Sequence, residues 1–344
     1  MEELLRNYFL SLGYYVIRGV KYKYEEFDIT DVDLYLYGRS SSLTRERINV
    51  DIKNKKTPQA FERILWVNGL KELLNFDSCI VATTDQRPVI NTFGHLHNTI
   101  VLNGSFLSKI KVNSFPERLT EEDFLSMLSK HKCYKTFNNK DWKYIYEGSK
   151  SRLLTELDFS GFNLELLVLR YFMDTALVDQ QKKEDATRMI YITLSHLLII
   201  IDYIVKDIAF LDNIGREKKL SDGFKFGNLG RNGVDKIISM AAHIAGTKSA
   251  NSVMKSLETV PIDILKDFFS KNENTKNLFL WAKEFEKIAY NRIFINPEKI
   301  DTSLKGVLSV MLDYMGVERK KFYELFPKNV QPSLFAEGDT PNHR

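Results

Sequence analysis

Two stretches near the N-terminus alternate apolar and polar residues with period two: Asp31–Tyr37 (DVDLYLY) and Ile48–Ile52, the latter inside RINVDIKNKK. Alternation of this kind makes strands with one buried face, and residues two apart share a face. Tyr14–Lys23 reads as an earlier strand, following an amphipathic helix at Glu2–Leu12 that Gly13 ends. Three strands in succession fit an antiparallel meander. Thr57-Pro58 opens a helix to about Leu74, with threonine as cap and proline in the first turn. Ser78–Thr83 (SCIVAT) is then a strand reached through a crossover helix, Thr99–Leu102 is another, and a further helix starts at Ser105. The expected fold is α/β, a mixed central sheet flanked by helices.

The pattern changes near residue 115 and turns helical. Candidate helices are Glu121–Lys130, Asn163–Val178, Glu184–Asp212, Gly233–Ala245, Ile262–Ser270, Thr275–Tyr290, Leu304–Met315 and Glu318–Leu325. The expected organisation is a sheet domain at 1–115, a connecting region at 116–160, an all-α domain at 161–326 and a flexible tail at 327–344. Gly215–Gly233 is glycine-rich and basic and reads as a loop, with Arg231-Asn232 as candidate nucleic-acid contacts. The greasiest segment, Met189–Leu211, contains His196, Asp202, Lys206 and Asp207. Its uncharged run is too short for a membrane span, so it reads as a core helix. Cys79 and Cys133 have no metal-ligand or redox spacing, which suits a reducing cytoplasm and gives no disulfide framework. A net charge of +4 neither requires nor opposes nucleic acid as a partner.

The chemistry lies in the alternating strands. Asp33 near the start of one and Asp51 near the end of the next sit side by side in a meander. Two carboxylates there form a hard oxygen site suited to Mg²⁺ or Mn²⁺ rather than zinc. Lys53, two residues after Asp51, shares its face and can reach a phosphate beside that ion. An Asp and a Lys two apart on a strand also occur as a plain surface ion pair, worth about 0–1 kcal/mol.

Asp33, a spacer and then Asp51-Ile52-Lys53, after an acidic first helix, together resemble the PD-(D/E)XK nuclease superfamily, the restriction-endonuclease-like fold. The resemblance covers about residues 1–112. Thr30–Asp33 (TDVD) is similar to the acid-x-Asp form of its restriction-endonuclease-like and Holliday-junction-resolvase-like branches, which makes Asp31 a supporting residue. The proline of the family name is absent, and Val32 precedes Asp33. The resemblance implies a metal-dependent phosphodiesterase, an endonuclease acting on DNA more than RNA, in a restriction or phage-defence setting. Asp33 and Asp51 would be ligands with the Ile52 carbonyl and Glu2, Glu3 being the alternative to Glu2. Lys53 would stabilise the attack and Gln59 would support the site.

Lys55, Lys56, Arg63 and Lys71 follow the motif and either touch the phosphate backbone or line a solvated helix face. Tyr35 and Tyr37 read as sheet packing. Arg188 and His196 are too widely spaced for the Arg-x4–6-His pattern of helical ribonucleases. In the tail, Gln331-Pro-Ser-Leu334-Phe335 is similar to the bacterial sliding-clamp-binding pentapeptide, with Pro332 in place of its usual leucine. Two other readings follow: a catalytically inactive binding module on the same fold, and a clamp-associated DNA repair nuclease. A partner subunit or a second copy is a further expected partner; a membrane is not.

Overall fold

The computed structural model describes residues 1–25, 27–110, 117–131, 141–244 and 250–326. The chain runs α1 (Glu2–Ser11), β1 (Tyr15–Tyr24), β2 (Phe27–Arg39), β3 (Arg45–Lys53), α2 (Ala60–Leu74), β4 (Ser78–Thr83), α3 (Pro88–Leu96), β5 (Thr99–Leu102) and α4 (Gly104–Leu107). Every later helix or strand among the described residues is a helix: α5 (Glu121–Leu128), α6 (Trp142–Thr155), α7 (Phe159–Val178), α8 (Lys183–Lys206), α9 (Asn213–Phe226), α10 (Gly230–Ile244), α11 (Ala250–Glu258), α12 (Asp263–Ser270), α13 (Asn272–Ala289), α14 (Thr302–Tyr314) and α15 (Arg319–Glu324).

The five strands lie in sequence order in one mixed sheet. β1, β2 and β3 form the antiparallel meander, and β3, β4 and β5 are parallel, joined by α2 and α3. Alternation assigns the two faces. Leu34, Leu36, Ile48, Val50 and Ile52 pack under Leu5 and Phe9 of α1. On the opposite face Cys79 and Val81 pack against Ala60, Ile64 and Val67 of α2 and Ile90 of α3. That face is closed over β1 and β2 by the helical half of the chain. Tyr15, Ile17, Tyr35 and Tyr37 share one apolar core with residues of α6, α7, α8 and α13. The core therefore continues past residue 115.

Polar seams fix this packing. Asp202 of α8 is fully buried and accepts from the Tyr37 hydroxyl at 2.7 Å, Arg39 at 2.8 Å and Arg45 Nη2 at 3.0 Å. Tyr15 meets Ser195 at 2.8 Å. A second seam centres on Glu121 at the start of α5. It accepts from Lys150 Nζ of α6 at 2.7 Å and lies 3.5 Å from Arg6 of α1, which also reaches Glu286 at 3.0 Å. Lys150 donates as well to the Arg18 and Gly19 carbonyls of β1. Buried charges are tolerable when each is paired and hydrogen-bonded, and removing one partner is costly.

Three expectations are corrected. In the 116–160 region α5 is the helix expected at Glu121–Lys130, but the remainder is not merely a connection: it contains α6, which buries Trp142, Ile145, Tyr146 and Leu153. Its helical stripe is masked in sequence because Ser149 and Lys150 also face inward. Gly215–Gly233 is not a loop but holds most of α9 and the start of α10. Gly223 is there for close packing, since a Cβ at that position would lie 2.4 Å from the Phe159 ring. Thr57 and Pro58 precede α2; its N-cap is Gln59, with φ 49°. The greasy segment is as expected a core helix. α8 has the length and composition to cross a bilayer, yet nearly all of it is buried in the protein.

Glu121→Gln tests the second seam. Its carboxylate is fully buried, but Lys150 and Arg6 hold its pKa down to about 2. A depressed carboxylate adds stability above its unfolded pKa and loses it as pH falls through the folded value. Urea denaturation at pH 7 should show a loss of about 3–5 kcal/mol in the variant. The difference from wild type should shrink as pH falls from about 4.5 towards 2.

Candidate active site

Asp33 and Asp51 belong to the place where β2 leaves β3. The last paired couple is Leu34 opposite Val50, so Asp33 and Asp51 come one residue later on each strand. β2 starts at Phe27, so Asp33 is in mid-strand; what begins near it is the pairing with β3. Beyond this point β1 and β2 continue together to the Tyr24–Phe27 pair, where both aromatic rings are exposed. Asp33 Oδ2 accepts from the Ile52 backbone N–H at 2.6 Å, supplying from a side chain a bond the β2 ladder no longer provides.

Alternation sets Asp33 on the face of Tyr35 and Tyr37, and Asp51 and Lys53 together on one face of β3. Lys53 Nζ is 3.7 Å from Asp51 Oδ1. Asp51 is nearly buried, whereas Lys53 is partly exposed. Burial pushes the Asp33 carboxyl up to about 6; the Ile52 N–H and Lys53 oppose the rise, and Asp51 and Glu2 add to it. Asp33 and Asp51 are thus neighbouring acids, with Lys53 beside Asp51.

Arg63 was missed as a partner. From the first turn of α2 it grips Asp51 with both arms of its guanidinium, Nε to Oδ2 at 2.9 Å and Nη2 to Oδ1. It is thus not a solvated helix-face residue in this structure. The available signal was its place beside the buried stripe Ala60–Ile64–Val67. Glu2 and Glu3 meet Arg18 of β1 at 2.6 and 3.2 Å, and Arg18 also reaches Glu122 of α5 at 2.6 Å. These residues, with Ile52, Lys53, Asn54 and Lys55, line an open cleft of about 400 Å³.

Asp31 is exposed and paired in register with Lys21. Gln59, Lys55 and Lys56 are exposed. The helical-half residues Arg188 and His196 are buried in α8, where Arg188 donates to the Ala289 and Asn291 carbonyls. Arg231 pairs with Glu258. Gln331, Leu334, Phe335 and Cys133 lie outside the described residues.

Hard oxygen donors such as these carboxylates suit Mg²⁺ or Mn²⁺. Among the described residues, however, no three His, Cys, Asp or Glu side chains gather as a metal-binding group. Asp33 and Asp51 are the two carboxylates that would hold such an ion, and both oxygens of Asp51 are engaged by Arg63.

No protein-family model, curated protein or solved structure matches the chain.

Asp33→Asn keeps an acceptor for the Ile52 N–H and removes the charge. A carboxyl raised in the folded state adds stability below its unfolded pKa and loses it as pH rises through about 6. With divalent ions chelated at pH 7.5, the variant should therefore be about 1–2 kcal/mol more stable than wild type, after allowing for partial solvent screening. Denaturation at pH 4 and 7.5 checks this: the gain should be confined to the higher pH.

Proposed function

We propose that the chain is a divalent-metal-dependent nuclease that hydrolyses phosphodiester bonds in DNA. Residues 1–112 would be a restriction-endonuclease-like unit of the PD-(D/E)XK kind, and the later helices an all-α domain contributing target recognition or assembly. One observation carries this reading: Asp33 and Asp51 flank the point where two strands part, with Lys53 beside Asp51 and an open polar cleft adjoining.

In this reading Asp33 and Asp51 hold the ion, joined by Glu2 or the Ile52 carbonyl. A divalent ion so held would neutralise phosphodiester charge and lower the pKa of its water. The chain's own residues do the remainder. Lys53 places a positive charge where negative charge develops on the phosphate. The Ile52 N–H holds Asp33 in its orientation. Lys55 and Lys56, exposed on the loop after β3, supply backbone-phosphate contacts that position DNA without reading its sequence. Restriction or phage defence is the setting that suits this assignment.

A second reading, a catalytically inactive binding module, is favoured by the grip of Arg63 on Asp51. A clamp-associated repair nuclease rests on Gln331, Leu334 and Phe335 in the tail. Cleavage of plasmid DNA and of RNA in Mg²⁺ or Mn²⁺ separates the first two. Wild type should nick or cut DNA, and Asp51→Ala and Lys53→Ala should each lower the rate by at least about 10²-fold. Binding without cleavage under every metal condition would support the inactive module instead.

A further inference from the structure

Asp51 has two claimants. As a metal ligand, the role the preceding reading gives it, it must present oxygen to a cation. In the structure both of its oxygens are taken by Arg63. A carboxylate bound in bidentate fashion by a guanidinium has its charge matched and its best lone-pair directions filled. A divalent ion therefore does not simply add to this site; it must compete for it.

The position of Arg63 makes that competition reversible. Its side chain is one quarter exposed, so it can leave Asp51 without stranding a charge in the core. It is carried on the first turn of α2, a helix packed on the sheet through Ala60, Ile64 and Val67, so its backbone stays in place. The guanidinium lies 5.6 Å from the Trp66 ring, a half-exposed surface on which it can rest. Lys53 and the exposed Lys55 and Lys56 complete a cationic rim at the same sheet end. The planar fork that fits a carboxylate also fits a phosphate.

We propose that Arg63 is a metal-displaced phosphate ligand. It neutralises Asp51 while no divalent ion is bound, and it is handed to the DNA backbone when an ion takes Asp51. Metal and DNA then bind cooperatively, because each favours the state with Arg63 away from Asp51. The same exchange restricts ion loading while DNA is absent. The proposal rests on the nuclease reading in requiring that Asp51 bind a divalent ion and that the chain bind DNA.

The test is Mn²⁺ binding to the full chain by calorimetry, without nucleic acid, for wild type, Arg63→Met, Arg63→Lys and Asp51→Asn. A partly exposed pair of this kind is worth a factor of about five to ten in a competing equilibrium, so Arg63→Met should bind Mn²⁺ tighter by that factor. Arg63→Lys, which keeps the charge but not the fork, should fall between, and it carries the comparison if the methionine variant does not fold. Asp51→Asn should abolish the binding. In a companion DNA-binding titration, replacing EDTA with Ca²⁺ should increase wild-type affinity more than that of Arg63→Met.

Unchanged or weaker Mn²⁺ affinity in Arg63→Met and Arg63→Lys, with binding still dependent on Asp51, would overturn the exchange and leave the metal site standing. Equal Ca²⁺ gains in wild type and Arg63→Met would overturn the handover to phosphate. Absence of Asp51-dependent Mn²⁺ binding in every protein would remove the metal reading and the exchange together.

Discussion

Strand alternation is the constraint on which this structure turns. Once Leu34, Leu36, Ile48, Val50 and Ile52 are committed to the α1 side, Asp33, Tyr35, Tyr37 and Asp51 must face the other way. Tyr35 and Tyr37 can be buried there because helices cover β1 and β2. Asp33 and Asp51 lie one step beyond the last β2–β3 pair, where the strands separate. The Asp33–Ile52 hydrogen bond then ties the parting strands across the gap. Acid placement and strand divergence are consequences of one register.

The helical half does more than follow the sheet. It supplies the apolar cover that the tyrosines of β1 and β2 need, and it contributes Asp202 and Glu121 to buried ionic seams. It also reaches the rim of the cleft. Glu122, next to Glu121 on α5, joins Glu2 and Glu3 around Arg18. A displacement of α5 would therefore be felt by the acidic residues at the start of α1. This gives a physical route by which the helices can influence the site from its rim.

Much of the sheet was legible because period two survives in short runs, and the same-face relation of Asp51 and Lys53 is a property of spacing alone. The mixed topology followed from short links in the meander and longer helical links after β3. Legibility ended where helices carry polar residues inward. Lys150 disguises α6, and the packing glycine Gly223 makes α9 resemble a loop. The start of α2 was misplaced because Thr57-Pro58 offered stronger start signals than Gln59, which takes a left-handed conformation at the N-cap. The Arg63–Asp51 pair was only faintly signalled, by the place of Arg63 beside the buried stripe of α2, for a related reason. It joins a helix to a strand through docking, and neither residue signals the other in the sequence.

The central claim is that Asp33 and Asp51 together hold one divalent ion. Anomalous diffraction from crystals of the full chain soaked in Mn²⁺ tests it without knowledge of the substrate. The account predicts a single strong peak within coordinating distance of both carboxylates, with Arg63 turned away from Asp51. Full Mn²⁺ exposure with no peak there, and Arg63 still seated on Asp51, would contradict it.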